Sequence, residues 1–301
     1  MTIAVFMSTY NGGKFLDEQL ASLANQTLAD AMTVYLRDDG SKDNTLQIIH
    51  RWKDKLSIRL EKAENVGPAR SFWKLMTDRS IQADYYAFCD QDDIWDADKL
   101  ETAVKQLRGP CHLYCCNCRI VDAQGKLLQP AMKEAAPRMD IPRVFVSGFI
   151  QGCAMVFTNE LREFILGQHI SCVPMHDVIL MLYGPAYGKV FWDGTPRFSY
   201  RVHENNVTVK SQKSPLEKLR TTLRNWRNSS KNSMSTVAAQ MLENDLQLSQ
   251  KDRLYLSRMS AYRSGLLKRL WLIRYQDIQH IPDVTYRSLR SYKIRLLLGL
   301  L

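Results

Sequence analysis

The chain has 301 residues, of which 45% are hydrophobic and 24% charged, and it carries a formal net charge of +10. These fractions are ordinary for a globular protein and exclude disordered and fibrous classes. No stretch reaches the roughly 18 apolar residues of a membrane span, and the first residues lack the pattern of a secretory signal. The seven cysteines are an odd number in a chain too long to need disulfide bridges. We therefore predict a reduced, cytoplasmic protein.

Charge is distributed unevenly along the chain. Residues 1–209 carry 23 Lys and Arg against 25 Asp and Glu, whereas residues 210–301 carry 18 against 6. Strand-like patterns also end near residue 209, so we predict an α/β domain over 1–209 and a basic helical extension over 210–301. A basic segment of this kind is typical of proteins that meet nucleic acid or a lipid leaflet. The alternative is a solvated helical face without a partner.

Strand and helix signals alternate over the first ninety residues. Apolar, β-rich runs predict strands, and apolar residues at helical spacing predict helices between them. The strands are predicted at 3–9, 32–39, 57–63 and 84–90, and the helices at 15–26, 45–56 and 69–78. This alternation predicts a mostly parallel sheet with helices on both faces. Ligands of such sheets bind at the carboxyl ends of the strands, which here carry Ser8–Asn11, Asp38–Asp39 and Asp90–Asp93.

The patterns after residue 110 are shorter. They predict a hairpin that turns at Gln124–Gly125, short buried strands at 144–149 and 152–158, and a helix at 177–183. After residue 209 only basic helical patterns remain, at 214–230, 252–278 and 286–301.

Three carboxylates, at positions 90, 92 and 93, follow a predicted buried strand directly. Carboxylates at i and i+2 on a turn can both approach one hard divalent cation, which then has open positions for a diphosphate. The alternative is that the acids of this region cap the next helix. The second acidic strand end, at Asp38–Asp39, favours the metal-binding interpretation.

Seven segments in order resemble the family 2 glycosyltransferases, the inverting type with a GT-A (Rossmann-like) fold. Segments 8–27, 36–45, 64–72 and 88–100 are similar to the nucleotide-sugar half of that family. Segments 148–157, 175–182 and 200–207 resemble the acceptor half, with the spacing of bacterial rhamnosyltransferase-like members. The resemblance extends from residue 3 to about residue 209.

By position, the resemblance implies the following roles in donor binding. The residues beside the nucleoside and its sugar would be Ser8, Tyr10, Asn65, Gly67 and Arg70, with Asp39 on the pyrimidine base and Asp90 on the ribose. Asp90 and Asp92 would form the D-x-D pair that binds the metal, and His203 would reach back to it. The extra acid, Asp93, leaves open which neighbour of Asp92 shares the metal. Arg201 would assist the leaving diphosphate.

Asp177 is the predicted catalytic base. Inversion at a sugar carbon needs a carboxylate on the acceptor side to take the hydroxyl proton, and HDVIL places Asp177 at the head of a helix. The alternative is plain capping of that helix. Many family members carry Glu-Asp here, whereas this chain has His176–Asp177, and the sequence leaves open whether His176 tunes the carboxylate or is simply packed.

The activity implied is transfer of a sugar, rhamnose or a hexose, from a dTDP- or UDP-sugar with Mg²⁺ or Mn²⁺ as cofactor. The implied acceptor is a saccharide, lipid-linked in many bacterial members, within O-antigen or capsule biosynthesis. No nucleic-acid partner is expected.

The pattern of the tail predicts that the protein binds peripherally to the cytoplasmic face of the inner membrane. Segments 263–275 and 286–301 mix Leu, Ile and aromatic residues with Arg and Lys at helical spacing, a pattern that can lie on an anionic leaflet. The same pattern could instead pack its apolar stripe on the catalytic domain, and the sequence does not separate the two.

Cysteine and histidine cluster between residues 111 and 118 without any C-x-x-C spacing. Adjacent strand residues point to opposite faces, so we predict buried, inert thiols rather than a zinc site.

Two other functions fit parts of the sequence. A sugar nucleotidyltransferase would open with a Gly-rich loop carrying Arg and Lys, whereas this chain has STYNGG after its first strand. A non-enzymatic membrane or nucleic-acid binder would use the basic tail, but it would leave the acidic strand ends without a role.

Overall fold

The computed structural model describes residues 1–148, 150–204, 234–244, 246–279, 281 and 284–301. The strands are β1 Ile3–Thr9, β2 Met32–Asp38, β3 Ile58–Lys62, β4 Tyr85–Cys89, β5 Ile94–Trp95, β6 Cys111–Val121, β7 Leu127–Gln129, β8 Met155–Thr158 and β9 Lys189–Arg201. The helices of the first 200 residues are α1 Leu16–Ala24, α2 Thr45–Trp52, α3 Pro68–Thr77, α4 Lys99–Leu107, α5 Ile141–Ser147, α6 Asn159–Leu166 and α7 His176–Tyr187. Those of the tail are α8 Met234–Glu243, α9 Gln250–Ser260, α10 Leu266–Arg274, α11 Gln276–Gln279 and α12 Tyr286–Leu298.

The strands form one sheet in the order β3-β2-β1-β4-β8-β6-β9-β5, with β7 paired to β6. β3, β2, β1 and β4 are mutually parallel, as the alternating pattern predicts. Beyond β4 the sheet is mixed, because β8 is antiparallel to both β4 and β6. The carboxyl ends of β1, β2 and β4 therefore lie side by side, and the acid-bearing segments that follow them share one edge of the sheet.

The predicted strand at 144–149 is wrong, because residues 141–147 form helix α5. Asp140 caps this helix by accepting a hydrogen bond from the backbone N–H of Arg143, and Pro142 stands in its first turn. A cap followed by proline is a helix-start signal. The hairpin prediction is confirmed, since β7 returns along β6 through a turn in which Gly125 has a φ of +80°.

The tail helices pack on the α/β domain through their apolar faces. Phe145 of α5 contacts Tyr255 of α9 at 5.6 Å between ring centroids, and Asn244, just after α8, donates to the Tyr183 hydroxyl of α7 at 3.0 Å. None of the helices described is long and apolar enough to cross a membrane. The predicted helix at 214–230 and the predicted boundary near residue 210 lie outside the described residues.

Candidate active site

The carboxylates at the end of β2 are engaged by protein groups. Asp38 accepts hydrogen bonds from Thr9 Oγ1 at 3.0 Å and from the backbone N–H of Ser41 at 3.0 Å. Asp39 is paired with the buried Arg37 and accepts from the backbone N–H of Gly67 at 2.8 Å. Both carboxylates are 2% exposed. They tie the loops after β1 and β3 to the sheet, and the base contact implied for Asp39 stays a prediction.

Four other residues predicted to bind the nucleotide lie on these loops. Gly67 has a φ of +81°, which favours glycine, and it begins α3 ahead of Pro68. Ser8 at the end of β1 donates to Ser71 of α3 at 2.6 Å. Asn65 and Arg70 are exposed on either side of Gly67. The loop thus presents polar side chains next to the end of β1.

Tyr10 connects the β1 loop to the acid turn, defined here as residues 90–93. Its side chain is 46% exposed. Its backbone N–H donates to Gln91 Oε1 at 2.9 Å, and its carbonyl accepts from Gln91 Nε2 at 3.2 Å. The loop and the turn therefore hold a fixed relative position, with the Tyr10 ring free to contact a ligand.

Within the acid turn, Asp92 and His203 meet directly. The His203 Nε2 to Asp92 Oδ2 distance is 2.7 Å, and the imidazole also packs on the Phe15 ring at 4.6 Å between centroids. The two residues are 111 positions apart in sequence. The chain thus brings together two of the three predicted metal ligands.

Asp90 and Asp93 differ in their exposure. Burial, followed by the charge of Asp92, raises the pKa of Asp90 to about 7, yet Asp90 remains partly exposed. Burial raises the pKa of Asp93 well above its usual range, and Asp93 is fully buried. Ligand atoms of Asp90, Asp93 and Cys153 all lie within 4.8 Å of one another. A cation that also binds a diphosphate can reach only exposed carboxylates. This placement therefore favours Asp90 over Asp93 as the second carboxylate, beside Asp92, of the predicted metal site.

Lys99 is a buried cation beneath the acid turn that the sequence analysis does not identify. Its Nζ donates to the Cys153 carbonyl at 2.6 Å and lies 3.1 Å from the centroid of the Trp95 ring. Its positive charge lowers the pKa of Asp90, partly offsetting the effect of burial. Helix α4 begins at Lys99, and a lysine at the start of a helix is predicted from sequence to be a solvated surface charge.

Arg201 supports the acid turn from within the protein. The sequence prediction places it at the leaving diphosphate, whereas its side chain is 1% exposed. Its Nε donates to the Asp92 carbonyl at 3.0 Å, its Nη2 to Glu18 at 2.5 Å, and its backbone N–H to Asp93 at 3.2 Å. These contacts favour a positioning role for Arg201 over a direct contact with a ligand.

Asp177 lies in the first turn of α7 and is partly buried. Burial raises its pKa to about 6, against the opposing effect of the backbone N–H groups of Val178 and Gly152. Its Oδ1 is shielded from solvent and has no hydrogen-bond partner among the described residues. Its charge also raises the pKa of Asp90, so α7 carries this carboxylate up to the acid turn.

His176, which precedes it, is packed. Its ring lies 4.1 Å from Phe72 and 4.4 Å from Phe88 between centroids. Neither ring nitrogen has a hydrogen-bond partner in the described part of the chain, and burial lowers its pKa to about 3. His176 is therefore a neutral packing residue, which decides between the alternatives that the sequence leaves open.

The cysteines are free, and all are buried except the partly exposed Cys111. Burial raises the pKa of the Cys116 thiol to about 12. Within the described ranges, the group of Asp90, Asp93 and Cys153 is the only one with three close metal-ligating atoms. This agrees with the prediction of inert thiols.

The comparisons with known proteins agree with this geometry. The chain is 28% identical to the dTDP-rhamnosyl transferase RfbG of Shigella flexneri over 66% of this chain and 72% of that protein. Its fold is similar to residues 1–349 of Staphylococcus aureus TarS in complex with UDP-GlcNAc, with a TM-score of 0.61 at 16% identity over 99% of this chain and 89% of that one. It is also similar to the mannosyltransferase PcManGT of Pyrobaculum calidifontis in complex with GDP-Man and Mn²⁺, with a TM-score of 0.56 at 18% identity, over 99% and 86%.

These likenesses in fold confirm the predicted GT-A architecture. The model of the family Glycosyl transferase family 2 matches residues 4–164. That range is more than half of the chain and includes β1 to β4 and the acid turn. The chain therefore belongs to glycosyl transferase family 2.

Proposed function

We propose that this glycosyltransferase moves a sugar from a nucleoside-diphosphate donor to a saccharide hydroxyl in one displacement, with inversion at the anomeric carbon. The observation that carries the proposal is the pair of carboxylate sites at the sheet edge. Asp177 approaches the acid turn closely enough to raise the pKa of Asp90. In the proposed arrangement, the anomeric carbon would lie between the base and the diphosphate site.

On the donor side, polar residues at the ends of β1, β2 and β4 would bind the nucleotide. Tyr10 offers an exposed ring, Asn65 and Arg70 are exposed beside Gly67, and Ser8 lies at the base of the site. The proposed contact of Asp39 with a pyrimidine base rests on the family resemblance. In the structure, its carboxylate bonds to Arg37 and to the backbone N–H of Val66.

The acid turn has the chemistry of a divalent-cation site. Asp90 and Asp92 would supply carboxylate oxygens, which suit Mg²⁺ or Mn²⁺, and His203 would supply an imidazole nitrogen, which suits a transition metal better than Mg²⁺. Burial and repulsion from Asp92 raise the pKa of Asp90 to about 7, a cost of ionisation that a bound cation would relieve. When bound there, the cation would neutralise charge on the leaving diphosphate.

On the acceptor side, Asp177 would take the proton of the attacking hydroxyl. A pKa of about 6 leaves the carboxylate ionised at neutral pH and makes it a stronger base than an exposed aspartate. Because Oδ1 is shielded from solvent, the acceptor hydroxyl would approach the exposed part of this partly buried carboxylate. Packing of His176 between Phe72 and Phe88 fixes the start of α7 and so the position of the base.

The relative in Shigella flexneri supports rhamnose from a dTDP donor as the first substrate to test, with UDP-hexoses next. The proposed acceptor, a lipid-linked saccharide in O-antigen or capsule biosynthesis, rests on the resemblance of the motifs to bacterial rhamnosyltransferase-like members. The basic tail would then bring the enzyme to an anionic membrane surface. Membership in the family argues against the two alternatives, a nucleotidyltransferase and a non-enzymatic binder.

The first test is thermal stabilisation by UDP, dTDP, GDP and CMP, each with and without Mn²⁺. We expect metal-dependent stabilisation by dTDP or UDP, because a ligand that binds only the folded state raises the melting temperature. Transfer from dTDP-rhamnose to a saccharide acceptor, with the anomeric configuration read by NMR, then tests the reaction. A folded sample that responds to none of the nucleotides, or a product of retained configuration, would contradict the proposal.

A further inference from the structure

Helices α10 and α12 form a basic surface without any acidic residue. Together they carry seven basic side chains, Lys268, Arg269, Arg274, Arg287, Arg290, Lys293 and Arg295, and neither helix has an Asp or a Glu. The start of α10 lies beside the end of α12, since Arg269 Nη1 donates to the Leu297 carbonyl at 2.9 Å. The two helices therefore present a single positively charged surface.

The same two helices expose large aliphatic side chains at this junction. Leu267 is 82% exposed and Leu298 is 57% exposed, and Leu266, Ile294 and Leu297 are also exposed. Their opposite faces are already used in packing, because Leu272, Tyr292 and Leu296 are fully buried. The exposed leucines are therefore a second apolar face rather than an unfinished core. We name this surface, formed by residues 266–268, 287, 290, 294, 297 and 298, the C-terminal patch.

Basic groups border the apolar part of the C-terminal patch. Arg290 and Arg287 are exposed one turn and two turns, respectively, before Ile294 along α12. Neither forms an ion pair with a described acidic residue. A surface that places aliphatic side chains next to unpaired basic side chains fits a lipid leaflet, which has an apolar interior and anionic head groups.

We infer that the C-terminal patch docks on an anionic lipid leaflet, with the leucines inserted between acyl chains and the arginines among the head groups. The chemistry favours lipid over nucleic acid, because five large aliphatic side chains are exposed here against one aromatic ring, Tyr286, and leucines have no partner on a phosphate backbone. Trp271, the tryptophan of α10, is packed on Tyr275 at 4.9 Å and beneath Arg258.

The C-terminal patch is connected to the proposed acceptor side of the enzyme. Helices α11 and α12 pack on α5, and α5 packs on α7, whose first turn carries Asp177. In addition, Arg138, just before α5, donates to the Asp277 carbonyl of α11 at 2.7 Å. A leaflet bound at the C-terminal patch would therefore contact helices that pack, through α5, on the helix that carries the proposed base.

The experiment is flotation of the full-length protein with two kinds of vesicle, phosphatidylcholine alone and phosphatidylcholine mixed with phosphatidylglycerol. We expect binding to the anionic vesicles only, weakening as salt is raised because exposed charges are screened. Flotation needs no turnover, so the result is independent of the proposed sugar transfer.

Two double variants locate the surface. Leu267→Gln with Leu298→Gln should weaken binding about tenfold or more by removing the inserted side chains. Arg287→Gln with Arg290→Gln should weaken it about twenty-fivefold, since each base near an anionic leaflet contributes about fivefold. The matched controls are Leu127→Gln with Leu128→Gln, which are 53% and 58% exposed on β7, and Arg59→Gln with Arg108→Gln, which are exposed elsewhere.

Several outcomes would overturn the inference. Equal binding to neutral and anionic vesicles would remove the charge argument, and equal losses in the control variants would show that binding is not located at the patch. Light scattering provides the last check, because a dimer dissociated by the leucine variant, with vesicle binding intact, would assign the patch to a second copy of the chain.

Discussion

Strands β2 and β4, which flank β1 in the sheet, both end in acidic residues, and the surroundings of the two acidic ends differ. At the end of β2, Asp38 and Asp39 accept hydrogen bonds from Thr9, Ser41 and the loop after β3, and Asp39 is paired with Arg37. At the end of β4 each carboxyl has fewer donors among the described residues. Asp92 meets His203, Asp93 accepts from the backbone N–H of Arg201, and burial raises the pKa of Asp90 to about 7.

This difference separates two uses of the same residue type. Carboxylates with a full set of donors stabilise the loops around them, because their charge is compensated inside the protein. A carboxyl that lacks such donors is different, because burial and nearby like charge raise its pKa. Groups with shifted pKa values cluster at functional sites. The acid turn and Asp177 belong to the second kind.

The largest expected effect is that of Asp177→Asn. If Asp177 is the base, the variant should lose about a thousandfold or more in kcat, because general base catalysis contributes on that order. Burial raises the folded-state pKa of Asp177 to about 6, above its ordinary value of 3.8. The ionised group therefore destabilises the fold above pH 6 and not below about pH 4.

Asparagine removes that cost, so the melting temperature of Asp177→Asn should be unchanged or higher at pH 7.5, and the gain should vanish near pH 4. Calorimetry beside a transfer assay measures both quantities. Asp54→Asn, at an exposed position, is the control with the same chemical change. A variant that turns over at a near-normal rate would remove Asp177 from the reaction.

The next prediction compares one variant at the acid turn with one variant at the end of β2. Asp92→Ala should reduce transfer about a hundredfold or more by removing a proposed cation ligand. Its free energy of unfolding should not fall, because Asp92 raises the pKa of Asp90 through repulsion. Asp39→Ala should instead lower the free energy of unfolding by about 3 kcal/mol, since it leaves the buried Arg37 with only the exposed Glu61, at 3.5 Å, as an ionic partner. Denaturant titration gives both values, and the comparison fails if Asp92→Ala is the less stable of the two.

The pH dependence of turnover offers a third test. Asp177 acts only when deprotonated, and its pKa is about 6. At saturating donor and Mg²⁺, kcat should therefore be constant above about pH 7, be halved near pH 6 and fall roughly tenfold per pH unit below about pH 5. A plateau that continues to pH 4 would mean that an ordinary exposed carboxylate, or no carboxylate, limits the reaction.

The sequence was sufficient to predict the parallel half of the sheet and its acidic edge, because both depend on local patterns. Alternating strand and helix signals place β1, β2 and β4, and the parallel arrangement brings their ends together without further information. The seven motifs in family order supply the identity of the family, which the comparisons confirm.

The rest depends on contacts or on ambiguous local signals. The apolar run at 144–149 reads equally as a strand or a buried helix, and the helix start at Asp140 and Pro142 decides it. β9 escapes prediction because Gly194 and Pro196 interrupt it, where its register with β6 shifts. The support of the acid turn by Arg201 joins positions 109 apart, and Lys99 acquires its role only through burial. No local pattern contains either contact.

The smallest expected effect concerns the thiols close to the acid turn. Cys153 has a ligand atom within 4.8 Å of those of Asp90 and Asp93, yet it is fully enclosed, and burial raises its pKa well above the ordinary value. Because the thiolate is the reactive form, iodoacetamide should label the native protein at Cys111 alone, the one partly exposed thiol, and should change transfer less than about twofold. Mass spectrometry of native and unfolded samples measures the labelling, with the unfolded sample as the control for all seven positions. Rapid labelling of Cys153 with loss of activity would show that the acid turn opens to solvent, and burial would then no longer account for the raised pKa of Asp90.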